Sequence, residues 1–149
     1  MFHLEGATPE ARLARLKGLP SLTVTRRDLT NAKRSFSDGT DPDLIALGSP
    51  QLSAEELRAI ARRLERRTPR IPVWVFTSRL VKEDNAEAVA TIEGHGGRVL
   101  ADTCLEVTLL EDRIKTVATP SGKGAYYLPS LSKQRVILDD IDALLERYA

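Results

Sequence analysis

Residues 44–47 form a continuous apolar run, Leu-Ile-Ala-Leu, that ends at Gly48. A strand with one solvent-exposed face alternates apolar and polar side chains. An unbroken apolar run is therefore typical of a strand that is buried on both faces of a parallel sheet. A helix is indicated directly afterwards, because Ser53 and Glu56 have the spacing of a capping box. The sequence therefore predicts a buried strand followed by a covering helix.

The same alternation of short apolar runs and amphipathic stretches continues to the end of the chain. Further strands are predicted at residues 73–76, 98–101, 114–118 and 135–138, with helical patterns between most of them. Alternating strands and helices with tight links imply a parallel sheet covered on both faces. We expect one domain over residues 1–149, an α/β fold built as a three-layer α/β/α sandwich with a mostly parallel sheet of about five strands.

The first part of the chain carries weaker signals. Thr8 has the character of a helix N-cap, and Leu13 and Leu16 are expected to face inward from that helix. Residues 22–25 alternate like a short strand, and Asp28 is expected to cap the helix that follows.

Composition excludes several classes of protein. The hydrophobic content of 42% is enough for a proper core, and the single cysteine rules out an internal disulfide. No apolar run approaches the length of a membrane span, and the first residues lack the features of a signal peptide. The net charge of +1 gives no overall field that would gather nucleic acid or an anionic membrane. We expect a cytoplasmic protein that binds neither.

A run of arginines between residues 58 and 67 is the one local exception. It could be a nucleic-acid patch, but Glu65 and the preceding glutamates interrupt it and no aromatic side chains interleave for base stacking. A solvated helix face is the favoured interpretation. Binding to DNA or RNA that is sensitive to salt would indicate the alternative.

The stretch from residue 100 to residue 129 holds the residues best suited to chemistry. Asp102, Thr103 and Cys104 directly follow an apolar run, which places a carboxylate, a hydroxyl and a thiol where a buried strand ends. Open α/β sheets bind their ligands at such strand ends. A lone cysteine there is either a buried small hydrophobe or a ligand or nucleophile, and spacing does not choose between them.

A second candidate follows at Ser121, Gly122, Lys123 and Gly124. Glycines let a ligand approach the backbone, and free N–H groups beside an ammonium favour an anion. The segment is not a P-loop, since Val117 stands where the first glycine of that motif would be required. A solvated loop is the alternative.

Thr77, Ser78 and Arg79 follow the predicted strand at residues 73–76. Their hydroxyls and guanidinium could bind a carboxylate, with the arginine in a bidentate contact. The alternative is that Thr77 or Ser78 caps the next helix, and both roles are compatible.

These segments resemble the C-terminal part of the large subunit of the aconitase X family. The chain matches the family's D-T-C and its downstream T-N-S-x-K-x-A-H-Y-x-P at Asp102, Thr103, Cys104, Thr119, Ser121, Lys123, Ala125, Tyr127 and Pro129, and departs from it at Pro120 and Tyr126. Residues 3–11 resemble H-x-x-G-x-T-P-E-A, and residues 75–79 resemble V-F-T-S-R.

A fourth matched segment contains the most consequential departure. Residues 48–57 resemble the family's G-C-P-H-L-S-x-E-E-L, but Ser49 replaces the cysteine and Gln51 replaces the histidine. A serine hydroxyl is a poor substitute for a thiolate as an iron ligand. With Cys104 alone, the chain lacks the three or four thiolates that usually hold an iron–sulfur cluster, so retention of iron or of a cluster is doubtful.

The resemblance implies a hydro-lyase that eliminates water from a small hydroxy acid, such as mevalonate 5-phosphate or cis-3-hydroxyproline. It implies catalytic roles for Ser121 and Lys123 and an iron-ligand role for Cys104; substrate binding falls to Thr77, Ser78, Arg79, Asp102, Thr103 and Tyr127. It also implies partners, namely a small swivelling subunit and a chain that supplies the N-terminal part of the large subunit. The alternative is an inactive remnant or partner-binding α/β domain that has lost the iron site.

Overall fold

A computed structural model of the chain describes residues 3–13, 18, 20–107 and 112–148. Its centre is a sheet of five parallel strands in the order β3-β2-β1-β4-β5. The strands are β1 (Leu44–Leu52), β2 (Val73–Thr77), β3 (Gly97–Ala101), β4 (Thr116–Thr119) and β5 (Arg135–Leu138). The predicted parallel five-stranded sheet is confirmed.

Helices connect these strands and cover the sheet. They are α1 (Arg26–Ser35), α2 (Ala54–Leu64), α3 (Arg79–Asp84), α4 (Ala86–Gly94), α5 (Gly122–Ser132) and α6 (Ile141–Tyr148), with short 3-10 helices at Pro9–Leu13 and Leu105–Val107. None of the helices in the described ranges is long and apolar enough to cross a membrane.

Two apolar clusters, one on each face of the sheet, make the core. Alternate residues of β1 point to opposite faces, so Ile45 and Leu47 join one cluster while Leu44 and Ala46 join the other. The first cluster contains buried residues of α2, α4 and α6, and the second contains Ala125 and Leu128 of α5. The arrangement is the predicted three-layer α/β/α sandwich.

The helix that follows β1 begins as the sequence predicts. The Ser53 hydroxyl accepts from the backbone N–H of Glu56, and the Glu56 carboxylate accepts from the backbone N–H of Ser53. Its apolar stripe, Leu57, Ile60, Ala61 and Leu64, is fully buried. The capping box and the buried apolar stripe therefore both stabilise α2 where the sequence predicts a helix.

The expectations for the first part of the chain are partly wrong. A helix begins directly after Thr8 as expected, but it is a short 3-10 helix, Pro9–Leu13, and Leu13 is 81% exposed; Leu16 lies outside the described residues. Residues 22–25 form no strand, since no strand of the described sheet pairs with them. Thr25, not Asp28, is the N-cap of α1, and Asp28 closes the capping box from the third helical position.

The single helix expected after β2 is divided in two at Asn85, which ends α3 and begins α4. The Asn85 side chain accepts from the Arg58 guanidinium at 2.5 Å and donates to the Val81 carbonyl at 2.8 Å. These contacts fix the break between the two helices against α2.

The strand order places a divergence beside β1. From β1 the chain moves outward to β2 and β3, then returns to the other side of β1 for β4 and β5. Gly48 lies at the end of the apolar part of β1 with a φ of +104°, and an added Cβ would overlap the Phe76 carbonyl. In open α/β sheets the crevice at such a divergence, at the carboxyl ends of the strands, is where ligands bind.

Candidate functional site

A compact polar cluster lies where the carboxyl ends of β1 and β4 diverge. The Ser49 hydroxyl donates to Oε1 of Glu106. Lys123 Nζ lies 3.3 Å from the same oxygen and 3.4 Å from Ser49 Oγ. We refer to Ser49, Glu106 and Lys123 as the edge cluster. It joins the second half of β1 to the segments after β3 and β4, as expected for parallel strands whose carboxyl ends share one edge.

Ser121 fixes the edge cluster to the start of α5. Its hydroxyl donates to the Ser49 backbone carbonyl and accepts from the backbone N–H of Gly124 at 3.0 Å. Ser121 is therefore the N-cap of α5 and also ties the β4–α5 turn to β1. This geometry holds Lys123, in the first turn of the helix, over the end of β1.

Glu106 is the member of the edge cluster that the sequence did not reveal. It lies in the 3-10 helix Leu105–Val107, whose Leu105 packs into the second apolar cluster, and its side chain is only 4% exposed. Burial by itself raises the pKa of this carboxyl, but hydrogen bonds from Ser49 and Cys104 together with the Lys123 ammonium lower the pKa overall. The carboxylate is thus charged, and Oε2 finds no hydrogen-bond partner in the described part of the chain.

Cys104 lies beside Glu106 and is partly buried. Burial raises the pKa of the thiol, and the hydrogen bond and negative charge of Glu106 raise it further. The residue is therefore held as a neutral thiol at neutral pH, which is the form that neither attacks nor binds a metal well. Both interpretations of Cys104, as a buried small residue and as an iron ligand, stay predictions.

Arg79 and Asp102 form a second polar pair at the same sheet edge. Asp102 accepts from the backbone N–H of Arg79 at 2.8 Å and from Arg79 Nε at 2.9 Å, and these bonds lower the pKa of the carboxyl, the backbone bond most. Asp102 has a φ of +57°, a conformation uncommon outside glycine and asparagine or aspartate. The pair joins the ends of β2 and β3, and both side chains reach solvent.

The remaining predicted site residues have local contacts of their own. The Thr77 hydroxyl is fully buried and donates to the Leu52 carbonyl at 2.7 Å, while Ser78 is the N-cap of α3. The backbone carbonyl of Thr103 accepts from the Gln51 amide at 3.3 Å. Tyr127 is partly exposed on α5 and its ring contacts Tyr126 edge to face.

The structure therefore brings the predicted residues together to different degrees. Cys104, Ser121 and Lys123 meet through Glu106 and Ser49, whereas Arg79 and Asp102 form a neighbouring pair on the same edge. Their roles in binding or catalysis remain predictions. No local sequence signal marked Glu106, because a lone glutamate in a loop is ordinarily solvated.

The edge cluster does not fit an iron–sulfur cluster. Only Cys104 offers sulfur, Ser49 presents a neutral hydroxyl, and the Lys123 ammonium lies within 3.4 Å of that hydroxyl. Iron–sulfur clusters are held by several thiolates, and a metal cation beside an ammonium is repelled. Over the described ranges, no three His, Cys, Asp or Glu side chains gather closely enough to hold a metal ion.

The fold and the edge cluster together define an open α/β domain with its polar groups at the strand divergence. The family model described as the aconitase X third domain matches residues 42–148. The chain belongs to the aconitase X family, which confirms the resemblance in its sequence motifs.

Relatives of two kinds are similar to this chain. The phosphomevalonate dehydratase large subunit of Thermococcus kodakarensis is 35% identical over 151 residues, which cover 98% of this chain and 39% of that protein. The cis-3-hydroxy-L-proline dehydratase of Pseudomonas aeruginosa is 35% identical over 150 residues, 91% of this chain and 26% of the relative. The chain thus spans two fifths or less of these relatives' length.

A solved structure has the same fold. The crystal structure of aconitase X from Thermococcus kodakaraensis, in its holo-form, superposes with a TM-score of 0.87 at 34% sequence identity. The match covers 97% of this chain and 39% of that one. It therefore extends to residues that precede the family-model match.

Proposed function

We propose that this chain is a catalytic-site part of an aconitase X-type hydro-lyase that eliminates water from a small hydroxy acid. The edge cluster is the observation that carries the proposal, because it presents an ammonium and hydroxyls at the strand divergence of a fold whose relatives are dehydratases. Mevalonate 5-phosphate and cis-3-hydroxyproline are the substrate candidates, after the two kinds of relative. The chain acts as one unit over residues 1–149.

In this proposal Lys123 binds a substrate carboxylate or transfers a proton. Its side chain is 47% exposed, so it can meet a ligand while Glu106 restrains it from the buried side. Ser121 shares the role or supports it by holding the turn. Arg79 can bind a second anionic group, with Asp102 orienting its guanidinium. Thr103, Ser78 and Tyr127 complete the proposed binding surface, and the fully buried Thr77 supports it from beneath through its bond to the Leu52 carbonyl.

The proposed enzyme has more than one chain or domain. Since the chain spans about two fifths of the large subunits it resembles, the remaining part of a large subunit must be supplied, and a small subunit completes the assembly. Cys104 is the one cysteine of this chain and its candidate iron ligand, so iron in such an assembly would need its other thiolate ligands from the remaining parts of the enzyme. A cytoplasmic setting suits these small-molecule substrates.

The test is turnover by the assembled enzyme with each of the two substrates, followed by the appearance of the unsaturated product. Lys123→Ala should lower kcat/KM about 100-fold or more, as expected for loss of a proton-transfer or charge-stabilising group. Lys133→Ala, at the other end of α5, is the matched control and should leave kcat/KM unchanged. Unaltered kcat/KM in Lys123→Ala would reject the role of Lys123, and no dehydration of either substrate would reject the proposed reaction.

The second candidate, a partner-binding domain without catalysis, is favoured by one observation. Ser49 and Lys123 both contact Oε1 of Glu106, so the charge of this carboxylate is balanced within the chain. Assembly with the missing part of the large subunit, without turnover of either substrate, is the result that this candidate predicts.

A further inference from the structure

Ser49 stands at the position where the matched family motif has a cysteine. The structure shows which groups surround the serine. The Ser49 hydroxyl is bonded to a buried carboxylate, that of Glu106, whose side chain is 4% exposed. The ammonium of Lys123 lies 3.3 Å from this carboxylate. The three side chains come from three separate segments, so the fold builds the arrangement.

We propose that the edge cluster is a metal-independent replacement for a thiolate iron site, in which the Lys123 ammonium supplies the positive charge that neutralises the buried Glu106 carboxylate. The inference goes beyond the proposed function and does not require it. It concerns what holds the charge at this edge, whichever reaction the assembled protein carries out.

Charge compensation is the first argument. A buried carboxylate without a counter-charge is strongly unfavourable, and it is retained only when a cation and hydrogen bonds compensate it. Lys123 and Ser49 provide both, on the same oxygen. A divalent cation on that oxygen would lie against the ammonium, and the two positive charges would repel each other.

Donor chemistry is the second argument. Ser49 offers a neutral hydroxyl, and the thiol of Cys104 is hydrogen-bonded to the Glu106 carboxyl group instead of being available as a free thiolate. Oε2 of Glu106 is the one atom of the edge cluster that could still attract a cation, since it is buried without a hydrogen-bond partner in the described ranges. The experiments are therefore directed at Glu106 and Lys123.

The first experiment measures iron and acid-labile sulfide in the full chain, purified without oxygen and then incubated with ferrous iron and sulfide. After removal of free ions, the wild-type chain should contain no more iron than the Glu106→Gln variant. Iron in the wild-type chain that is lost in Glu106→Gln would overturn the proposal. This measurement does not depend on turnover, so a failure of the proposed reaction would leave the inference standing.

The second experiment removes the ammonium. Lys123→Met leaves the buried Glu106 carboxylate without its cation, so it should lower the melting temperature, whereas Lys133→Met should not. A Lys123→Met/Glu106→Gln double variant no longer contains the uncompensated charge, so it should melt at a higher temperature than Lys123→Met. An unchanged melting temperature in Lys123→Met, or no recovery in the double variant, would overturn the proposal. If Lys123→Met does not fold, the iron measurement on the wild-type chain still decides the question.

Discussion

Lys123 Nζ lies 3.3 Å from Oε1 of Glu106, and this ion pair joins the segment after β3 to the first turn of α5. Its carboxylate is buried and its ammonium is half exposed. Oε1 of Glu106 also accepts a hydrogen bond from the Ser49 hydroxyl of β1, so the ion pair connects the two sides of the sheet divergence. The stability of this edge should therefore depend on the charge of Glu106.

Glu106→Gln should lower the free energy of unfolding by about 1.5–3 kcal/mol at neutral pH, the range for hydrogen bonds to a charged group. The folded-state pKa of Glu106 lies below its ordinary value of 4.5, so the unfolded chain binds the proton more readily than the folded chain. The stabilisation by the charged Glu106 carboxylate is complete above pH 4.5, and it disappears as the pH falls through the folded-state pKa. Urea unfolding of both proteins across pH 3–7 should show the difference shrinking in acid. Exposed Glu83→Gln is the control, and a difference independent of pH would contradict the prediction.

Asp102→Asn should destabilise the chain less than Asp102→Ala. Asparagine tolerates the positive φ of this position and its side-chain oxygen can still accept from the Arg79 backbone N–H, whereas alanine does neither. Thermal unfolding of the two variants measures the difference. Equal melting temperatures would show that neither the backbone conformation nor the amide contact contributes.

Gly48→Ala should cost about 3 kcal/mol or more, since a strained backbone and an overpacked contact each cost about 1–3 kcal/mol. The φ of +104° disfavours a side chain, and the new Cβ would overlap the Phe76 carbonyl. Gly94→Ala is the matched control, because its Cβ would enter open space at the end of α4. A similar free energy of unfolding for both variants would contradict the close approach of β1 and β2.

Thr77→Val should lower stability by about 1–3 kcal/mol, because it leaves the Leu52 carbonyl without its donor. The same change in exposed Thr40 should be close to neutral. Urea unfolding of both variants measures the difference, and equal losses of stability would contradict the prediction.

The sheet could be predicted because each strand is marked by its own residues. The apolar run at residues 44–47 and the capping box of Ser53 and Glu56 are local features, and the structure preserves both. The alternation at residues 22–25 is also local, but a strand requires a partner and none of the described strands pairs with it. The pattern of apolar residues alone therefore does not distinguish residues 44–47, which form a strand, from residues 22–25, which do not.

The site was only partly predictable for a related reason. Ser121 and Lys123 belong to a recognisable turn, whereas Glu106 acquires its role from Ser49, 57 positions away in the chain. Its burial depends on the neighbouring Leu105 packing into the core and on the ammonium that Lys123 supplies. Long-range contacts of this kind leave no trace in the local sequence.

The central position of β1 has a consequence for how the chain can be divided. β1 is the first strand in sequence, yet one of its two neighbours, β4, is among the last to be made. A chain that stops after β3 would leave one edge of the most apolar strand open, with the backbone of Leu44 and Ile45 unpaired. Such an edge can pair with other chains, so nascent or truncated forms should aggregate until β4 arrives.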